Sequence, residues 1–261
     1  MKIELERLDE KIPLIENSAK NIVACVLSGS DELFQVFSDT LLDCSKYKAH
    51  TFLNEKIVKK IDIQKRLYPE IAEELEHLKN MMWDYFAYIE DFKLDALLKG
   101  NSDYYRNVAT EQQKLNKLRG VLFEILVEEI ICPRCRRWYY ETGCMVTING
   151  EKIISYYNGK PRKTIDIATY KEKKGEFYEC KLSPNSLNEE SYNYLNLLEN
   201  KLNDEDNFES IVACVTLGPK TTLESIQTQI EFDLGIQNDN IKMYGRRELL
   251  LLKESPFEEA I

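Results

Sequence analysis

Hydrophobic residues recur at helical spacing through the first part of the chain. The segment SDELFQVFSDTLLDCSK begins with a Ser/Asp cap and repeats apolar residues every three or four positions. The segment PEIAEELEHLKNMMWDYFAYIEDF begins with a proline, which suits the first turn of a helix, and places its large apolar residues on recurring faces. The pattern therefore predicts an all-helical N-terminal region over residues 1–112.

The pattern changes from residue 113 onward. A strongly apolar helix is predicted over KLNKLRGVLFEILVEEII. Short alternating runs follow: CMVTING and EKIISYYNG, joined by an Asn149-Gly150 turn, and then KTIDIATY and GEFYECKL, joined by the charged turn KEKKG. A helix over NEESYNYLNLLENKLN, a strand over FESIVACVTLG, a helix over TTLESIQTQIEFDLG and a last strand over NIKMYGRREL complete this part. The order predicts an α/β (α+β) domain over residues 113–261, with a central mixed sheet flanked by helices.

Composition is that of a soluble globular protein, with 43% hydrophobic and 31% charged residues. No apolar run reaches the length of a membrane span, and the charged start MKIELERLDEK does not resemble a signal peptide. We therefore expect a cytoplasmic protein without a membrane partner. The cysteines are seven in number, and several lie in apolar segments such as NIVACVL, so we expect buried thiols rather than a disulfide framework.

Charge is unevenly distributed along this acidic chain. The formal net charge is −10, yet residues 114–163 hold ten Lys and Arg against five Asp and Glu. Because a phosphate-binding face depends on local charge, this basic segment is a candidate nucleic-acid contact; a solvated surface is the alternative. Its candidate contact residues are the cationic and aromatic group Arg134, Arg136, Arg137 and Trp138, and the group Lys160, Arg162 and Lys163.

The strongest chemical signal is the stretch TIDIATYKEKKGEFYECKL. Glu179 and Lys181 are two residues apart on a predicted strand, so their side chains point to the same face. An antiparallel hairpin brings Asp166 across from them. Two carboxylates and an ammonium suit phosphodiester hydrolysis, because hard oxygen ligands hold Mg²⁺ and the lysine offsets developing negative charge. A salt-bridged hairpin on an unrelated sheet is the alternative.

These residues, in the order helix, three strands, helix, strand, resemble the PD-(D/E)xK nuclease core, the restriction-endonuclease-like fold. The resemblance covers roughly residues 115–218. It implies that Asp166 and Glu179 bind the metal, that the backbone carbonyl of Cys180 supplies a further ligand, and that Lys181 is the catalytic lysine. Ile165 stands where the family motif has proline.

The resemblance also implies a further acid on the preceding helix, and in 120-GVLFE-124 we choose Glu124 over Glu128. It further implies Mg²⁺, with Mn²⁺ as a substitute, and DNA as the substrate, commonly in restriction or anti-phage defence. A catalytically inactive DNA-binding or scaffold protein and an RNA-directed nuclease are the alternatives. The helical region is expected to serve interaction, homodimerisation or substrate recognition.

Other metal and catalytic chemistries find few candidates. Cys132, Cys135 and Cys144 supply three thiols with no evident fourth ligand, so we do not expect a structural zinc site. His50 and His77 each stand alone in the helical region. Histidine-dependent nucleases and Ser-His-Asp triads are therefore poorly supported.

Overall fold

The computed structural model describes residues 1–8, 13–43, 52–87, 111–135, 138–205 and 207–254. The chain forms two compact units. The helical unit comprises Glu10–Leu126, and the sheet unit comprises Met1–Asp9 together with Val127–Ile261.

The helical unit is built from amphipathic helices with buried Leu, Ile and Phe side chains. Its elements are α1 (Pro13–Ser28), α2 (Asp31–Leu42), a π-helical segment (Phe52–Val58) that runs into α3 (Lys59–Leu67), a 3-10 turn (Pro69–Ile71) that runs into α4 (Ala72–Ala87), and α5 (Glu111–Ile131), which ends in the sheet unit. The expected cap is present, because the Ser30 hydroxyl accepts a hydrogen bond from the Leu33 N–H.

Two buried hydrogen bonds fix α5 within the helical unit. The Arg119 Nε donates to the Leu41 carbonyl of α2 at 2.9 Å, and the Tyr85 hydroxyl of α4 donates to the Leu118 carbonyl at 2.9 Å. Both donors are buried side chains that would be costly to leave without an acceptor. They therefore connect α5 to α2 and to α4.

The described strands of the sheet unit are β1 (Ile3–Arg7), β2 (Tyr139–Ile148), β3 (Glu151–Lys152), β4 (Ser155–Tyr157), β5 (Lys160–Arg162), β6 (Ile165–Lys171), β7 (Lys174–Cys180), β8 (Glu209–Val215) and β9 (Lys242–Tyr244). Within the described residues, seven of them form one mixed sheet in the order β1-β2-β6-β7-β8-β9, with β3 paired to β2. A separate hairpin pairs β4 with β5.

The connectivity of the sheet unit agrees with the predicted order. After α5, strands β2, β6 and β7 are antiparallel neighbours, and helix α6 (Glu189–Asn203) then leads to β8, which is parallel to β7. Helix α7 (Lys220–Leu234) precedes β9, which is parallel to β8. Apolar residues of the strands, α6 and α7 form one core. The α/β class with a mixed sheet and flanking helices is confirmed.

Residues 1–112 are not all helical, because the chain begins with strand β1. Ile3 and Leu5 are buried, and they pair with Ile148 and Val146 of β2. The charged residues between them obscure the strand in the sequence. The alternation of two apolar residues with glutamates is nevertheless the pattern of a strand with one buried face.

Two predicted turns have different outcomes. The Asn149-Gly150 turn is confirmed: both residues have positive φ, and Thr147 pairs with Lys152. The hairpin of β6 and β7 turns at Glu172-Lys173 rather than over KEKKG, because Lys171 pairs with Lys174 and Glu172 takes the positive φ. Gly175 lies in the strand, where a Cβ atom would approach Phe177 and Phe208 to 2.9 Å.

The predicted last strand is shorter than NIKMYGRREL. Strand β9 ends at Tyr244, and the arginines that follow begin helix α8 (Arg246–Glu254). EKIISYYNG is likewise divided, since β3 joins the large sheet whereas β4 forms its own hairpin. Among the described helices, none combines the length and apolar character that crossing a bilayer requires.

Candidate active site

Strand β7 positions two of the predicted catalytic residues. Glu179 lies on β7, and Lys181 continues its alternation because the Lys181 N–H donates to the Val215 carbonyl of β8 at 2.8 Å. Both side chains therefore project on the same side as the core residue Phe177. The pairing of Ile167 with Tyr178 brings Asp166 of β6 alongside Glu179.

The Glu179 carboxylate is buried between two cations. Its side chain is 1% exposed, and its Oε1 accepts from the Lys181 Nζ at 2.7 Å and from the Arg162 Nη2 at 2.5 Å. Its Oε2 is also buried but has no hydrogen-bond partner within the described part of the protein. Such an atom is costly in an apolar environment, so Oε2 is the natural position for an additional ligand.

Asp166 is connected to the same place through the backbone. Its Oδ2 accepts a hydrogen bond from the Cys180 N–H at 2.6 Å. Its charge also acts on Arg162 and Lys181, whose pKa values it raises. The structure thus brings Asp166, Glu179 and Lys181 together, as the sequence predicts.

Both cations of the cluster are held in their charged forms. Burial lowers the pKa of Lys181, but the carboxylates of Glu179 and Asp166 outweigh burial and raise the pKa above its ordinary value. Burial also lowers the pKa of Arg162, but the carboxylates of Glu179 and Asp166 outweigh it and raise the pKa above its ordinary value. Two positive and two negative groups consequently meet at the ends of β5, β6 and β7.

Arg162 occupies a place that the sequence does not indicate. It ends β5, pairs with Ser155 of β4, and turns its guanidinium toward Glu179 rather than toward solvent. Its guanidinium carbon lies 5.9 Å from the ring centroid of Tyr194 on α6. Tyr194 is fully buried, and no pattern in the sequence distinguishes it from an ordinary core residue of an amphipathic helix.

The remaining candidate nucleic-acid contacts are dispersed. Lys160 and Lys163 are exposed on either side of Arg162, and Trp138 is half-buried immediately before β2. The side chain of Arg134 lies outside the described part of the structure, and so do Arg136 and Arg137.

The two glutamates considered on α5 fall in different units. Glu124 is half-buried and belongs to the helical unit, whereas Glu128, one turn later, is buried and belongs to the sheet unit. The choice of Glu124 stays a prediction.

The cysteines considered for zinc have different environments. Cys132 is half-buried in a 3-10 turn (Cys132–Cys135), and Cys144 is fully buried in β2. The side chain of Cys135 lies outside the described residues. In the part of the chain that is described, no three His, Cys, Asp or Glu side chains are grouped to hold a metal.

The site nevertheless fits a hard divalent cation. Magnesium is usually bound through one or two carboxylates and keeps several waters, so it does not need a cage of protein ligands. Asp166 and Glu179 supply two such carboxylates, and the buried Glu179 Oε2 lacks a partner in the described structure. The donor set therefore suits Mg²⁺ or Mn²⁺ better than a thiolate-seeking metal.

Comparisons with known proteins give no family assignment. No family model matches the chain, and no curated protein matches it. Among solved structures, the chain is similar to protein VC1899 from Vibrio cholerae, with a TM-score of 0.44 and 15% sequence identity. The match covers 97% of this chain and 57% of that protein, so the chain spans little more than half of its length.

Proposed function

We propose that the protein is a divalent-metal-dependent nuclease that hydrolyses phosphodiester bonds of DNA at the Asp166–Glu179–Lys181 site. The observation that carries the proposal is the Glu179 carboxylate. One of its oxygens accepts from Lys181 and Arg162, while the other is buried without a partner among the described residues. A buried, half-satisfied carboxylate beside a second carboxylate is suited to metal binding.

The two carboxylates would hold the metal, with the Cys180 backbone carbonyl as the further ligand that the resemblance implies. A bound Mg²⁺ would polarise the phosphate and acidify a coordinated water. The Cys180 N–H, which donates to the Asp166 Oδ2 at 2.6 Å, fixes the orientation of that carboxylate on the hairpin. This preorganisation is what positions ligand oxygens before substrate arrives.

Lys181 is suited to act as a cation rather than as a base. Its ammonium contacts Glu179, and the neighbouring carboxylates raise its pKa, so it is protonated near neutral pH. A protonated lysine can donate hydrogen bonds to the attacking water or to a phosphate oxygen. It would thereby offset the negative charge that develops in the transition state.

Exposed basic residues beside the site support a nucleic-acid substrate. Lys160 and Lys163 are exposed on the segment that leads into β6, which carries Asp166. Lysines at such positions can contact backbone phosphates without reading sequence. The resemblance favours DNA, and restriction or anti-phage defence is the setting that it suggests.

A second candidate function is a non-catalytic nuclease-fold protein that binds DNA or serves as a scaffold. The observation that favours it is the mutual neutralisation of the cluster, in which two cations accompany two carboxylates. Such a cluster can stabilise a sheet without a metal when its polar atoms are paired. The partnerless Glu179 Oε2 is the feature that this candidate leaves unexplained.

The test is cleavage of plasmid, linear duplex, single-stranded DNA and RNA by the purified full chain with Mg²⁺ or Mn²⁺. Wild type is compared with Asp166→Asn and Lys181→Met, which preserve side-chain size. We expect wild type to cut DNA and both variants to lose at least about a hundredfold in rate, the scale for removing one electrostatic catalytic group.

The matched control is Lys242→Met, which removes an exposed lysine from β9 of the same sheet. It should cut at the wild-type rate. Absence of cleavage by wild type on every substrate, or equal cleavage by Asp166→Asn, would reject the catalytic assignment. Cleavage of RNA alone would replace DNA by RNA as the substrate.

A further inference from the structure

Three residues that are linked through Arg162 each have a buried polar atom without a hydrogen-bond partner in the described structure. These atoms are the Oε2 of Glu179, the Nε of Arg162 and the hydroxyl of Tyr194. Native proteins rarely leave such atoms unsatisfied, so each of them is a position where a bound water or ion is expected. Arg162 links them, because its guanidinium contacts Glu179 and lies over the Tyr194 ring.

Arg162 and a metal ion would use the same carboxylate. The Arg162 Nη2 donates to the Glu179 Oε1 at 2.5 Å, and its positive charge lies directly beside the predicted metal ligand. Arg162 uses Oε1, and a divalent cation at the partnerless Oε2 would bind the other oxygen of the same carboxylate. The two positive groups would then be close together in a buried site, where like charges repel, so each weakens the binding of the other. Lys181 carries the same charge, but its backbone directly follows the strand that carries Glu179. The Lys181 N–H donates to the Val215 carbonyl, and this hydrogen bond fixes the Lys181 backbone beside β8.

We propose that Arg162 is a positioning residue that holds Glu179 in the metal-free protein and competes with the divalent cation for that carboxylate. This inference rests on the proposed function, because it concerns the same metal site. Arg162 can be displaced without breaking the large sheet, because β5 pairs with β4 in a separate hairpin. Once released, the guanidinium can donate two parallel N–H hydrogen bonds to two oxygens of one phosphate. The displaced Arg162 would therefore be able to bind a phosphate group of the substrate.

The test is calorimetric titration of the full chain with Mg²⁺ in the absence of nucleic acid. Arg162→Gln keeps a polar side chain and removes the charge, and we expect it to bind Mg²⁺ about tenfold more tightly than wild type. Arg162→Lys keeps the charge and should bind within about threefold of wild type, a difference below 1 kcal/mol. Lys242→Gln, which removes an exposed lysine on β9, is the matched control and should equal wild type.

A measurement on the unmodified protein does not depend on the folding of any variant. If Mg²⁺ displaces Arg162, amide hydrogen exchange should become faster in peptides that cover Ser155–Arg162, while that of β6 and β7 becomes slower. Slower or unchanged exchange of Ser155–Arg162 on Mg²⁺ binding would overturn the competition.

The outcomes separate this inference from the function on which it rests. If Arg162→Gln binds Mg²⁺ no more tightly than wild type while wild type still cuts DNA and Asp166→Asn does not, only the role of Arg162 is wrong. If no Mg²⁺ binds to wild type or Arg162→Gln and no nucleic acid is cut, both proposals fail.

Discussion

The guanidinium carbon of Arg162 lies 5.9 Å from the ring centroid of Tyr194, and neither the Arg162 Nε nor the Tyr194 hydroxyl has a hydrogen-bond partner among the described residues. The ring provides a cation–π contact to a guanidinium that is largely withdrawn from water. The hydroxyl, in contrast, is buried without compensation, and burial raises the pKa of Tyr194 well above its ordinary value. The ring and the hydroxyl therefore have opposite effects on stability.

Tyr194→Phe should leave the protein as stable as wild type or more stable. The substitution keeps the ring and removes only a buried hydroxyl that makes no hydrogen bond in the described structure, so we expect a gain of up to about 1 kcal/mol in the free energy of unfolding. Tyr194→Ala should cost about 3–5 kcal/mol, because it leaves a cavity in the core. Urea unfolding measures both. A loss above 1 kcal/mol for Tyr194→Phe would show that the hydroxyl has a partner in solution.

The contribution of Lys181 to stability should disappear at alkaline pH. Its folded-state pKa is raised above the ordinary 10.5, so its contribution is fully present below about pH 10.5 and is lost as the pH rises through the higher folded value. The difference in the free energy of unfolding between wild type and Lys181→Met should therefore be constant below pH 10.5 and shrink above it. Ile167→Val, which removes one buried methyl group and no charge, is the control.

Stability curves at several alkaline pH values give the result. The difference between wild type and Ile167→Val should not vary with pH, since neither side chain titrates. The difference in the free energy of unfolding between wild type and Lys181→Met should shrink above pH 10.5. If this difference stays constant up to the onset of alkaline unfolding, the ion pair with Glu179 is contradicted.

Glu76 should confer acid sensitivity on the helical unit. Hydrogen bonds from Lys65 and Lys79 lower the pKa of Glu76 to about 2, against the ordinary 4.5. Its stabilising contribution is present above pH 4.5 and is lost as the pH falls through about 2. As the pH is lowered between those values, the stability of Glu76→Gln should fall less steeply than the stability of wild type. Unfolding followed by circular dichroism at each pH measures this difference. Because the Glu76 side chain is 41% exposed, added salt should reduce the difference between the two proteins.

Two Gly→Ala substitutions should have opposite signs. A Cβ atom at Gly218 would lie 2.4 Å from the Cδ of Pro184, whose ring cannot rotate away, so we expect a loss of about 1–3 kcal/mol. At Gly120 in α5 the nearest atom is the Glu124 Oε1 at 3.9 Å, so Ala fits and should add about 0.5–1 kcal/mol through its helix propensity. Thermal unfolding compares the two variants. Equal changes in melting temperature would show that contact with Pro184 does not determine the effect of Gly218→Ala.

The part of the site that lies on one hairpin could be predicted from the sequence. Alternation along a strand fixes the shared face of Glu179 and Lys181, and a hairpin returns the chain to Asp166. These relationships are local, so a single stretch of sequence contains them.

The part of the site that depends on tertiary packing could not be predicted. Arg162 lies among exposed lysines in a basic segment, and only the placement of the β4–β5 hairpin against α6 turns it inward. Tyr194 has the spacing of any core residue on a helix. The turn at Glu172-Lys173 differs from the predicted KEKKG because Glu172 adopts a positive φ, which its residue type does not favour.

Pairing of Ile3 with Ile148 has a consequence for how the protein folds. Strand β1 enters the sheet from a point in the chain that precedes the entire helical unit, so the edge of the sheet closes only after a very long loop has been brought together. Loop-closure entropy makes such contacts slow to form, and sequence-distant pairings reduce folding rates. The hairpin that carries Asp166 and Glu179 is short by comparison, so the candidate catalytic strands should pair before β1 joins the sheet.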